Sequence, residues 1–211
     1  MPLSSATTDG PDLETRIGQS HAPCLVVAHP DDESLWCAGL LIRYPKDWLI
    51  VCCTIPFKDP ERADKFFDAC DVLGAQSLLL GHPERNGPIP KPDIRGRDLV
   101  ISHGPHGEYG HPQHRELHRL MQPDIWCAYG DQADAVLALS ESEWQQKLAA
   151  LRCYDHYSPA DNGKRKSEAL IDFYGRKYDL KREPYGLSNA RTNGAEAQSN
   201  TAPRLDWSVG S

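Results

Sequence analysis

The sequence predicts an α/β fold: a three-layer sandwich on a mainly parallel sheet, with its active site at the carboxyl ends of the strands. Two observations predict it. Short apolar runs alternate with longer segments of helical pattern. The runs are continuously apolar rather than alternating, as strands covered on both faces must be.

The strands are expected at 24–28 (CLVVA), 48–55 (WLIVCCTI), 77–81 (SLLLG), 98–102 (DLVIS) and 124–129 (DIWCAY). Helices are expected between and after them, at 32–44, 60–73, 113–121, 141–153 and 164–178. The second helix has Pro60 near its start and Gly74 just past its end, which is sound punctuation. The third follows Pro112, and Trp144 lies on the amphipathic fourth. Residues 82–97, HPERNGPIPKPDIRGR, are too rich in Pro, Gly and charge for an element and read as a long, functional loop. Residues 1–20 read as a flexible N-terminal arm, 21–186 as one domain, and 187–211 as a disordered tail by composition.

Composition narrows the partners. A net charge of −7 with no basic run argues against nucleic acid or an anionic membrane. No apolar stretch approaches the roughly 20 residues of a membrane span. The first residues lack the basic start and apolar middle of a secretion signal, so a cytoplasmic location is expected. The seven cysteines form no C-x-x-C pair and mostly sit in apolar runs; buried free thiols are expected, not a thiolate zinc site. Apolar helix faces could support a homo-oligomer.

Chemistry gathers at one sheet edge. In a parallel sheet ligands bind beyond the carboxyl ends of the strands. That rule collects HPDD after the first strand, TIPFKDPER after the second and HGPHGEYGHPQH after the fourth. The first corner, His29 to Glu33, replaces the glycines of a phosphate-binding turn with an imidazole and three carboxylates. Five of the nine histidines lie in 103–118, and His111 and His114 share one face of a first helical turn. Two histidines and a carboxylate with a position left for water form a hydrolytic zinc ligand set. Taken alone, HPDD is more often a polar turn with a helix cap and H-x-x-H more often two surface histidines; the pair together, on one edge, favours a metal. Asp31 alone could be a helix cap, and Glu33 and Ser34 could serve only the helix start. His103 and His106 are open between orienting ligands and facing solvent, and His118 between the metal face and the surface. Trp36, Trp48 and Trp126 read as core.

AHPDDE followed by GEYGHPQH resembles the zinc-dependent de-N-acetylase family of PIG-L and LmbE-like proteins. The resemblance spans roughly residues 22–155. It implies a Rossmann-like sandwich and a zinc-dependent N-deacetylase acting on an N-acetylated amino sugar or its conjugate, a small molecule. It implies His29, Asp32 and His114 as zinc ligands and Asp31 as the general base toward the zinc-bound water. His111 would stabilise the tetrahedral intermediate or act as acid, and Tyr109 would close over the substrate. Arg62 matches a substrate-contacting arginine by spacing, and His103 is assigned to the substrate side. Iron(II) or cobalt(II) suits the same donors. The departures surround the substrate: Lys65 stands where the family usually has glutamate, the family's Ser-Gln is absent after Lys147, and the 82–97 loop is individual. Two alternatives therefore stand: hydrolysis of another amide or an ester, and a non-catalytic binding module of the same fold.

Overall fold

The computed structural model describes residues 12–56, 61–84, 88–129, 133–155 and 166–188. Its chain order is α1 (Leu13–Gln19), β1 (Pro23–Val27), α2 (Asp32–Trp36), α3 (Ala38–Arg43), β2 (Leu49–Ile55), α4 (Arg62–Val72) and β3 (Gln76–Pro83). It continues with β4 (Leu99–Ser102), α5 (Pro112–Met121), β5 (Ile125–Cys127), β6 (Ala135–Ala138), α6 (Glu141–Arg152), α7 (Lys166–Gly175) and β7 (Arg182–Leu187).

The seven strands form one sheet in the order β3-β2-β1-β4-β5-β7-β6. The first five are parallel, and β7 runs antiparallel to both β5 and β6. The chain winds outward from β1 to β3, then returns to place β4 on the other side of β1. The topological switch therefore lies between β1 and β4, where open α/β sheets bind ligands.

Continuous apolar strands acquire two cores because neighbouring side chains point to opposite faces. Leu25, Val27, Ile50, Cys52 and Ile101 join a large core with Phe66 of α4 and Leu151 of α6. Cys24, Val26, Val51, Cys53 and Val100 join a smaller one with Leu117 and Met121 of α5. Ile89 is also buried in that smaller core. The described part of the 82–97 segment thus works as the crossover from β3 to β4 and as part of the sheet's second cover. All seven cysteines are free, and six are buried.

Several elements differ from the sequence reading. Residues 13–19 are not arm but a helix, capped by Asp12 and anchored by buried Leu13 and Ile17. The 32–44 helix is two helices broken at Cys37. β6 and β7 are additional. β7, REPYGL, contains charge, Pro and Gly, so no apolar run marks it. Its Gly186 is the register partner of Trp126, and a Cβ there would fall 2.1 Å from the indole. Trp207 and the rest of the tail from 189, like Pro60 and residues 1–11, lie outside the described residues. No helix among the described residues is long and apolar enough to cross a membrane.

Candidate metal centre

The site grows from the end of β1. His29 follows just past the strand, and Asp31 turns the corner with φ 108°, a left-handed conformation costly to any side chain and typical of functional sites. That turn starts α2 at Asp32. From the other side of the switch point, the loop after β4 delivers Glu108 and Tyr109, and α5 begins with Pro112 at its first turn, presenting His111 and His114.

His29 Nδ1 lies 3.2 Å from Asp32 Oδ2 and 3.1 Å from His114 Nε2; His114 Nε2 lies 3.2 Å from Asp32 Oδ2. All three side chains are buried. The edge of a tetrahedron with metal–ligand bonds of about 2.0–2.1 Å is about 3.3 Å, so the triangle fits a zinc-sized ion. The proton bookkeeping fits too. His29 Nε2 donates to Gln113 Oε1 at 2.7 Å, and the amide is held in that sense because Gln113 Nε2 donates to the Glu84 carbonyl at 2.8 Å. His114 Nδ1 donates to Glu108 Oε2 at 2.5 Å. Each ring therefore spends its proton outward and turns a lone pair inward. Asp32 is steadied by Trp36, whose indole N–H donates to Oδ1 at 3.1 Å.

His103, expected on the substrate side, is instead buried at 1% exposure beneath the ligands. Its Nδ1 faces Glu108 Oε1 at 3.0 Å, and its Nε2 accepts the Ala28 N–H at 2.9 Å. Glu108 and Asp32 favour a charged ring, yet only an unprotonated Nε2 can accept that N–H, so the geometry assigns the neutral form. His118 donates to the His103 carbonyl at 2.8 Å and is neither a ligand nor free at the surface.

Asp31 makes no side-chain cap. Its Oδ2 is paired with the Arg62 guanidinium from α4, which joins two segments 31 residues apart. Burial pushes the Asp31 carboxyl up and Arg62 pulls it down, with burial prevailing. Arg62 Nε is buried without a partner among the described residues. His111 stands 4.6 Å, ring to ring, from both His29 and His114, and its buried Nδ1 also lacks a partner. Burial and the neighbouring imidazoles push it down to about 4. Tyr109 packs 5.3 Å from His114 and 5.5 Å from His111, beside Tyr174 at 5.4 Å.

The structure thus brings His29, Asp31, Asp32, Arg62, Tyr109, His111 and His114 together. Sequence reasoning missed Glu108, Gln113 and the polar duty of Trp36. The first two sit inside GEYGHPQH, flanking His114, and Trp36 lies four residues after Asp32. Glu33, read as a mere helix start, is fully buried and accepts from Asp31 N–H, Ser34 and Tyr154. Burial pushes it up to about 7.

No family model matches the chain. It is 26% identical over 193 residues to 1D-myo-inositol 2-acetamido-2-deoxy-alpha-D-glucopyranoside deacetylase of Corynebacterium diphtheriae, covering 62% of this chain and 66% of that protein. An uncharacterized protein of Acanthamoeba polyphaga mimivirus is 22% identical over 138 residues, covering 51% of this chain and 61% of the relative. The chain thus spans less than two thirds of the length of either curated relative. Its fold is shared with N,N'-diacetylchitobiose deacetylase from Pyrococcus horikoshii, at TM-score 0.59 and 15% identity over 84% of this chain and 87% of that one. It is shared equally with a 4-carboxy-2-hydroxymuconate hydratase from Pseudomonas putida, at TM-score 0.54 and 18% identity over 74% and 83%. The fold alone therefore does not choose the reaction.

Proposed function

We propose, on the footing that this chain is a PIG-L/LmbE-like protein, that it is a metal-dependent hydrolase removing the N-acetyl group from an N-acetylated amino sugar or its conjugate. One observation carries the reading: three lone pairs, on His29 Nδ1, Asp32 Oδ2 and His114 Nε2, converge within 3.2 Å while both ring protons point elsewhere. A divalent cation would satisfy all three at once. The acyl-sugar substrate is supported by the relative from Corynebacterium diphtheriae, named as a deacetylase of an acetamido sugar.

His29, Asp32 and His114 would hold the ion. Zinc suits two imidazoles and a carboxylate, and iron(II) or cobalt(II) suits the same donors. Bound there, the ion supplies a Lewis acid for the amide carbonyl and a water acidic enough to attack near neutral pH. The chain's own residues supply the rest. Asp31 takes the attacking water's proton. Arg62 holds Asp31 Oδ2 and so aims Oδ1. Burial pushes the Asp31 carboxyl up, so it can keep that proton and return it to the leaving amine. His111 is neutral at pH 7 and stores no proton, which favours oxyanion stabilisation over acid catalysis. Its unpartnered Nδ1 is the group available for that hydrogen bond. Tyr109 walls the site on the side of Tyr174.

The test is release of primary amine from a panel of N-acetylated amino sugars and conjugates, before and after chelation and with zinc returned. Chelator-sensitive, zinc-restored release establishes the activity and ranks substrates. Silence across the panel from zinc-loaded protein would move the assignment to another amide or ester.

A further inference from the structure

We infer that Glu108 is a positioning residue for the metal centre: one buried carboxylate that holds two stacked imidazoles in the same tautomer, so that the one whose Nε2 meets no backbone donor is left to bind the ion. The inference rests on the metal reading above. His103 and His114 are nearly equivalent candidates. Their rings stack 3.8 Å apart at 18°, and the Nε2 atoms of both lie within 3.4 Å of Asp32 Oδ2. A metal could in principle take either.

Glu108 resolves this from below. It is an acceptor only when ionised. It faces His103 Nδ1 at 3.0 and 3.1 Å, His114 Nδ1 at 2.5 Å and the Gly104 N–H at 3.3 Å. Both rings must therefore carry their proton on Nδ1, and both Nε2 atoms become lone pairs. The Ala28 N–H, at the end of β1, then consumes that of His103. The lone pair of His114 has no such donor and is left for the ion. One carboxylate and one backbone amide thus sort two like rings into a ligand and a support.

The loop is built to hold the carboxylate there. Gly107 sits at φ 63°, and a Cβ on it would fall 2.7 Å from the His111 carbonyl oxygen. Only glycine lets the loop pass that close to the start of α5. Tyr178, from the segment before β7, donates to the Glu108 carbonyl at 2.6 Å.

Two measurements test this on the full chain. The first is the nitrogen-15 spectrum of the histidines in metal-free wild-type protein at neutral pH, which reports tautomers directly. His103 and His114 are expected as Nδ1–H forms; a His114 bearing its proton on Nε2 would overturn the inference. The second is zinc affinity, by competition with a coloured chelator, for wild type and Glu108→Gln. The amide keeps one acceptor oxygen and turns its N–H₂ either on His103 Nδ1 and the Gly104 N–H or on His114 Nδ1, so in both orientations a donor faces a donor and the hold on the rings weakens. Affinity is expected to fall about 10–100-fold. Equal affinity in wild type and Glu108→Gln also overturns the inference. A wild-type chain that binds no zinc overturns the metal reading instead. If Glu108→Gln does not fold, the wild-type spectrum decides alone.

Discussion

Replacing Lys147 with methionine should cost the protein about 3–5 kcal/mol, because it leaves a carboxylate buried without its cation. Lys147 and Glu183 are both fully buried, with Nζ 2.7 Å from Oε1. Glu183 has three further donors: Gly39 N–H at 2.9 Å, Leu40 N–H at 3.1 Å and Tyr185 O–H at 2.7 Å. Those donors are uncharged; their hydrogen bonds to the carboxylate are worth about 1.5–3 kcal/mol net each, and none supplies a countercharge. Methionine fills the lysine stem's volume, so the loss is electrostatic rather than a cavity. For a chain of this size the melting temperature should fall by roughly 6–20 °C. The assay is urea unfolding of the metal-free protein, alongside the double variant Lys147→Met, Glu183→Gln. The double variant removes the orphaned charge and should recover much of the loss. A single variant within about 1 kcal/mol of wild type, or a double variant no better than the single, would refute the reasoning. The consequence reaches the site, because Gly39 and Leu40 lie in the first turn of α3, which directly follows α2 and its Asp32. Zinc affinity of the single variant should therefore weaken as well.

Other expectations concern the site directly. Asp31→Asn should keep zinc at full stoichiometry, read by elemental analysis, while turnover drops about 10²–10⁴-fold; loss of metal would exchange the roles of Asp31 and Asp32. His114→Ala should abolish stoichiometric zinc at micromolar protein, and full occupancy there would remove it from the ligand set. His111 carries a pH signature. Its folded pKa, about 4, lies below the ordinary 6.5, so the unfolded chain takes up the proton first as pH falls. Wild type should therefore lose more stability than His111→Gln between pH 6.5 and 4 in metal-free urea titrations. A difference that stays flat across that window would show the ring to be freely solvated.

Local pattern was enough for much of this protein. Continuous apolar runs report strands buried on both faces, and β1, β2 and β4 match that mark; β3 carries it too, yet its Leu78 and Leu80 are exposed because it is the edge strand. Gly74, at φ 69°, closed α4, and Pro112 opened α5. The strand-end rule then placed HPDD and GEYGHPQH on one edge before any coordinate was known. The order β3-β2-β1-β4-β5 adds the reason: it sets those two segments beside each other at the switch point.

What stayed hidden depends on partners far away in the chain. β7 has no apolar signature because Glu183 answers Lys147, and Gly186 answers Trp126. α1 looked like arm because its two anchors, Leu13 and Ile17, are apolar only in a short polar segment. The pairing of Asp31 with Arg62 and the burial of Glu33 under Tyr154 span 31 and 121 residues. Sequence by itself determined which chemical groups reach the sheet edge, since composition and periodicity act within a few residues. Only the tertiary structure decided their protonation and their roles. A histidine is a ligand or a support according to which nitrogen already holds a proton, and that choice is made by a carboxylate or an amide brought in from elsewhere in the fold.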